Sequence, residues 1–153
     1  MTRRLRYLVL HGPNLNLLGT REPDVYGRVT LADVDEAIRG LAVELEIDVE
    51  CHQSNHEGTL IDQMHHAAGT VDGCIINAGA YTHTSIALHD CIKAMPYPVV
   101  EVHLSNIHAR EAFRHLSRLG PAVRASIAGF GWRSYTAALR ALVEQQREAS
   151  ATP

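Results

Sequence analysis

Glu101 and His103 stand two residues apart in PVVEVH, a run that reads as a β-strand, so both side chains emerge on one face. A carboxylate beside an imidazole sets its tautomer and raises its basicity, which suits a general acid or base near neutral pH. A buried histidine that merely bonds a local carboxylate has the same spacing. Arg110 and Arg114 lie four apart in a helical pattern and share a face. They suit an anion clamp, although a solvated pair is the commoner meaning of this spacing. Asn77 ends an apolar run, where it could contact a ligand or cap the turn that follows. Arg21 and Tyr26 share one loop. A guanidinium within about 4–6 Å moves a phenol of pKa about 10 down by roughly 1–3 units, toward a usable base. A tyrosine beside Gly27 also serves packing alone.

Other chemistries are disfavoured by inventory. HGPNLNLLG follows a strand but has neither the GK[ST] of a phosphate loop nor the GxGxxG of a dinucleotide fingerprint. Ten histidines invite a metal, yet no HExxH occurs, the HxxxH of His52 and His56 flanks a loop rather than riding one helix face, and His65 and His66 are adjacent on a helical pattern and diverge. No metal site is expected. Of 14 basic residues only Lys93 is a lysine, and it sits at a helix end before MPYP, where a cation favours the last carbonyls. Schiff-base catalysis is thereby disfavoured. Cys51, Cys74 and Cys91 lack CxxC spacing and lie in or beside apolar segments, as reduced structural thiols do.

The elements that must position these groups alternate along the chain. Residues 6–11 form a short β-rich run. Residues 30–46 open on Thr30 with Asp33 three further on, and repeat apolar residues at helical spacing through Val34, Ile38, Leu41 and Leu45. Strands are expected at 47–52, 73–77, 98–103 and 123–128, and helices at 58–68, 85–94 and 134–148, with a short amphipathic helix in AREAFRHLS and a frayed SATP tail. GCIIN is nearly continuously apolar, as in a sheet buried on both faces. Five strands alternating with helices predict an α/β, three-layer sandwich. Its five-stranded parallel sheet is expected in the order 2-1-3-4-5, the flavodoxin-like arrangement, with helices on both faces.

In such a sheet ligands bind beyond the carboxyl ends of the strands, and the titratable residues named above fall at those ends. Residues 11–27, HGPNLNLLGTREPDVYG, make a connection far longer than the usual strand-to-helix link of about 2–6 residues. They read as a loop over the site, with the GPNLN half fixed and the REPDVYG half a mobile lid. A length of 153 residues suits a single domain. Composition is 46% hydrophobic and 20% charged with net charge −3, which supports neither nucleic-acid nor membrane binding. The apolar run near the N-terminus is too short for a signal peptide or a membrane span, so a cytoplasmic location is expected.

GPNLNLLGTREPDVYG, INAGAYTHTSIAL, EVHLSNIHAREAFR and the GFG at 129–131 follow in order and span the chain. Through them the sequence resembles the type II 3-dehydroquinate dehydratases (type II dehydroquinases). The resemblance implies a carbon–oxygen hydro-lyase. It would convert 3-dehydroquinate to 3-dehydroshikimate by anti elimination through an enolate, with no cofactor, metal or Schiff base. It implies self-association as a trimer-based homododecamer and a place in the shikimate pathway. The alternatives are the same reaction in quinate catabolism, or a non-catalytic oligomeric paralogue lacking Tyr26, Arg21 or His103, all of which are present.

Residue by residue, the resemblance makes Tyr26 the tyrosinate base, with Arg21 depressing its pKa. Asn14 positions a water at the enolate. His103, oriented by Glu101, becomes the acid that protonates the leaving hydroxyl. Asn77 binds near that hydroxyl, the amides of Leu104 and Ser105 receive the substrate carboxylate, His83 and Arg114 contact ring hydroxyls, and Asp90 enters from a neighbouring subunit. Arg110, Gly79 and Ala80 are supporting. His11 stands where Asn is frequent in the family, His89 where Arg is common, and RASIAGFG and Trp132-Arg133-Ser134 also depart from the usual pattern. None of these departures removes a catalytic group.

Overall fold

A computed structural model describes residues 3–20, 24 and 27–152. Five strands form one all-parallel sheet in the order β2-β1-β3-β4-β5: β1 Arg6–His11, β2 Asp48–Gln53, β3 Gly73–Asn77, β4 Val99–His103 and β5 Ala125–Ala128. Among the described residues four α-helices cover the two faces: α1 Leu31–Leu45, α2 Glu57–Ala67, α3 Ile86–Ala94 and α4 Arg133–Ala151. This is the flavodoxin-like order expected from the alternation of elements.

Strand pleating explains the two cores. Tyr7 and Val9 point one way and Leu8 and Leu10 the other. The first pair joins Ile75, Val100 and Val102 against Val34, Ile38 and Leu41 of α1 and Tyr135, Leu139 and Leu142 of α4. The second joins Cys74, Ile76 and Val99 against Leu60 and Met64 of α2 and Leu88 and Ile92 of α3. Each such side chain removed from water stabilises the fold by roughly 1.5–3 kcal/mol. β3 and β4 are buried at every position, because helices cover both sides of them.

Local signals place the helix starts. The Thr30 side chain accepts from the Asp33 amide while Asp33 accepts from the Thr30 amide, a complete capping box for α1. The Ser85 hydroxyl caps α3 through the Leu88 amide at 2.9 Å, and Lys93 lies in that helix's last turn. α4 runs on to Ala151, into the segment read as tail.

AREAFRHLS departs from expectation. One 3-10 turn, Ile107–Ala109, ends at the segment's first residue and a second, Ala112–Arg114, lies within it, the two separated by extended backbone at Arg110 and Glu111. The Asn106 side chain caps the first turn through the His108 amide, and His115 Nε2 lies 2.8 Å from the Arg110 carbonyl oxygen. These local bonds outcompete a continuous helix, so Arg110 and Arg114 are not helical neighbours. Arg21 and Tyr26 lie outside the described residues, as does most of REPDVYG. No helix among the described residues is long and apolar enough to cross a membrane.

Candidate active site

A cleft of about 570 Å³, open to solvent at its mouth, lies beyond the carboxyl ends of β1, β3 and β4. Asn14, Asn77, Gly79, Ala80, His83, His103, Leu104, Ser105, Arg110 and Arg114 line it. Two predicted positions lie elsewhere. Glu101 is buried behind His103, and Asp90 is exposed on α3, in a separate groove with Ile86, His89 and Leu116.

The loops that carry the first group are pressed together. A Cβ on Gly12 would come within 2.5 Å of the Ala78 carbonyl carbon and oxygen, and one on Gly79, at φ 56°, within 3.1 Å of the Pro13 carbonyl oxygen. Only glycine permits this approach. The Gly12 amide then donates to the Asn77 carbonyl at 2.7 Å. Asn14 adopts the left-handed conformation at φ 68°, which asparagine tolerates better than most residues. Its amide donates to Asn55 Oδ1 at 3.0 Å, and Gln53 Nε2 donates to both the Gly12 carbonyl and Asn55 Oδ1. Leu15 and Leu18 are buried in the α1/α4 core and anchor the loop from below. The GPNLN half is thus held on several sides.

His103 Nε2 lies 2.6 Å from Glu101 Oε2, with both side chains nearly sealed from water. Burial by itself would raise the Glu101 carboxyl. The hydrogen bond and charge of His103, with the hydroxyls of Ser117 and Ser126, outweigh it and hold Glu101 below the usual range. Ser117 Oγ lies 2.8 Å from Oε2 and 3.0 Å from Oε1, and Ser126 Oγ 3.1 Å from Oε1. An ionised carboxylate only accepts, so Nε2 of His103 carries a proton and Nδ1 is left to serve the cleft.

The peptide planes after β4 face two N–H groups the same way. The Gly129 amide donates to the His103 carbonyl at 3.3 Å, and the Gly131 amide to the Leu104 carbonyl at 2.9 Å. Across a trans peptide the N–H points opposite to the C=O. The amides of Leu104 and Ser105 are therefore directed away from the Gly129–Gly131 turn, on the side where these two residues line the cleft. Paired amides of this kind make an anion cradle. On the rim, His83 Nδ1 donates to the Leu116 carbonyl at 2.8 Å, which leaves Nε2 as an acceptor when the ring is neutral. Glu111 sits between the two arginines, 2.9 Å from Arg114 Nε and 3.8 Å from Arg110 Nε. The Arg114 hydrogen bond, foremost, holds its carboxyl below the usual range.

Asn77 caps the turn that follows it, one of the two roles its position allowed. Its Oδ1 accepts from the Gly79 amide at 3.1 Å, capping the turn, while the residue also lines the cleft. Ser117 and Ser126 were not singled out from the sequence. The signal for Ser126 is the β4–β5 register, which sets it directly beside Glu101, and register is not readable from one short strand. One group among the described residues brings possible metal ligands together: His11, Asp35 and Cys51, within 4.8 Å of one another. Those atoms are engaged with each other. His11 Nε2 is 2.7 Å from Asp35 Oδ1. Burial, then the Asp35 charge, pushes the Cys51 thiol up to about 12, whereas a metal ligand must be the thiolate.

The profile of the family described as "Dehydroquinase class II" matches residues 5–143. A 3-dehydroquinate dehydratase of Marinomonas sp. is 56% identical over 143 residues, covering 90% of this chain and 95% of that protein. One from Desulforudis audaxviator is 56% identical over 140 residues, covering 92% and 93%. The crystal structure of a type II dehydroquinase from Butyrivibrio crossotus superposes with a TM-score of 0.89 at 40% identity, covering 91% of this chain and 97% of that one.

Proposed function

The chain belongs to the class II dehydroquinase family, and we propose that it dehydrates 3-dehydroquinate to 3-dehydroshikimate by general base and general acid groups of its own. The observation that carries this reading is the buried Glu101–His103 pair, 2.6 Å apart, with His103 opening on the cleft.

The substrate is a cyclic ketone bearing a carboxylate and a tertiary hydroxyl on one carbon, β to the carbonyl. The amide cradle at Leu104 and Ser105 receives the carboxylate, which sets the tertiary hydroxyl near His103. His83 accepts from a ring hydroxyl through Nε2, and Arg114 donates to another. Tyr26, as tyrosinate beside Arg21, removes the proton α to the ketone, and the C–H electron pair moves onto the carbonyl oxygen. A water held by Asn14 donates to that enolate oxygen. When the ketone re-forms, the C–O bond to the tertiary hydroxyl breaks with its electron pair. The His103 imidazolium, stabilised by ionised Glu101, protonates the departing oxygen so that water leaves. Return of one proton from Tyr26 to His103 through solvent restores both groups. The balance is redox-neutral and calls for no co-reactant.

A trimer-based homododecamer would bring a neighbour's Asp90 to the cleft. Supporting this, Asp90 is exposed on α3 beside Ile86 and Leu116, large apolar residues that are themselves exposed in the single chain. Cytoplasmic location and a biosynthetic role in the shikimate pathway complete the reading, with quinate breakdown as the other setting for the same reaction.

The test follows absorbance of the conjugated enone product with 3-dehydroquinate as substrate. Turnover by the intact protein is expected, with losses of at least about 100-fold in Tyr26→Phe and His103→Ala. No absorbance change with the intact protein overturns the activity. Near-normal turnover by Tyr26→Phe overturns the base. Light scattering that finds a monomer overturns the contribution of Asp90.

A further inference from the structure

Asn77 is one end of a hydrogen-bonded chain that starts outside the cleft. Parallel pairing of β1 with β3 sets His11 directly beside Asn77, both on the α1/α4 side of the sheet. Tyr135, in the first turn of α4, brings its hydroxyl 2.9 Å from His11 Nδ1, on the face of the sheet where Asn77 stands beside His11, and the Asn77 amide acts on the same hydroxyl. On the far side of the ring, Asp35 of α1 lies 2.7 Å from His11 Nε2. His11 and Tyr135 are fully buried and Asn77 is 4% exposed, so each member needs its partner.

The polarity of the chain follows from its outer end. The carboxyl of Asp35 would be raised by burial. The His11 hydrogen bond and charge, the Cys51 thiol and Arg39 outweigh this and keep it ionised. Ionised, it only accepts, so Nε2 of His11 bears the proton, and in the neutral ring Nδ1 presents a lone pair. Tyr135 must then donate its O–H to Nδ1, and its oxygen accepts an N–H from Asn77. At the inner end the Gly79 amide independently requires Oδ1 of Asn77 to be the atom facing it. Both ends assign the same orientation to the amide. One Asn77 N–H is committed to Tyr135, and the second is left for the cleft.

We propose that Asp35, His11 and Tyr135 are positioning residues that lock the Asn77 amide so that it presents an N–H donor to the bound substrate. The proposal rests on the reading of the cleft as a dehydroquinate site with Asn77 in it. Asp35, His11 and Tyr135 touch no reacting atom and act only through Asn77.

Two measurements test it on the full-length protein. Nitrogen-15 NMR of histidine-labelled protein reads the His11 tautomer without reference to activity: Nε2–H with a bare Nδ1 is expected, and an Nδ1–H tautomer overturns the relay alone. A double-mutant cycle then reads coupling. Tyr135→Phe is expected to lower kcat/KM about tenfold when Asn77 is present and less than about twofold in Asn77→Ala, since loss of one hydrogen bond to a positioned group is about that large. Asp35→Asn, at a partly exposed position, replaces Tyr135→Phe in the cycle if circular dichroism finds the latter unfolded. Equal losses in both backgrounds, or no loss from either variant, overturn the proposal. If Asn77→Ala alone keeps normal turnover, the place of Asn77 in the reaction falls, and the role of the relay with it.

Discussion

Removing the Ser117 hydroxyl should cost far more than removing that of Ser126, although both bond the same carboxylate. Ser117 Oγ reaches both oxygens of Glu101 and also accepts the amides of Leu119 and Gly120 at 3.2 and 2.9 Å. A hydrogen bond to a charged group contributes about 1.5–3 kcal/mol, and stranding two partly buried N–H groups adds roughly one more. Ser117→Ala is thus expected to lose about 2–4 kcal/mol, survivable against a total of about 5–15. Ser126 lies on an exposed part of β5, where water replaces its hydroxyl, so Ser126→Ala should lose only about 0.5–1 kcal/mol. The folded-state pKa of Glu101 is depressed. Its ionisation therefore stabilises the fold above the unfolded value of about 4.3, and that contribution is lost as pH falls through the folded value. The Ser117→Ala deficit should be full at neutral pH and narrow in acid, where Glu101 is neutral in both proteins. Urea melts by circular dichroism near pH 7 and at successively lower pH through the acid titration of Glu101 measure it. Turnover should fall about 10- to 100-fold in Ser117→Ala as His103 loses its orientation. Equal deficits for the two serines, or a Ser117→Ala deficit that does not change with pH, would refute the reasoning.

Gly12→Ala sets a methyl against the Ala78 carbonyl and must part the two loops that carry Asn14 and Asn77; turnover should fall at least about 100-fold, while circular dichroism reports whether the sheet persists. Thr30→Ala removes one arm of the α1 capping box and should lose about 1 kcal/mol, read as a melting temperature lower by about 2–4 °C. Burial raises the thiols of Cys51, Cys74 and Cys91, so the native protein should react slowly with a thiol reagent at neutral pH, and rapidly once denatured.

How much of this was legible in the sequence depended on the range of the interaction. The capping box at Thr30 is written within four residues, and GCIIN declares a strand covered on both sides, so both appear as read. Glu101 and His103 are visible for the same reason, since alternation along one strand sets their shared face. AREAFRHLS misled because its apolar spacing competes with caps supplied by Asn106 and His115, which helical periodicity does not register. Ser126 and Tyr135 escaped notice because each meets its partner only through strand register or helix packing. His11 was legible as a departure from its family, but its partners Asp35 and Tyr135 stand 24 and 124 residues away.

The hydroxyl of Ser126 ties the Glu101–His103 side of the cleft to the last strand of the sheet. β5 is an edge strand of four residues, paired only with β4. Slipping its register by one position would turn Ser126 to the opposite face and carry off the turn at Gly129–Gly131 that aligns the peptides of Leu104 and Ser105. A chain whose last strand pairs out of register would therefore lose the Ser126 bond to Glu101 and the alignment of the Leu104 and Ser105 amides, while Ser117 keeps its two bonds to the carboxylate. The alignment of the cleft amides thus hangs on the pairing of a four-residue edge strand, and an out-of-register β5 is expected to show as lost turnover with the rest of the sheet intact.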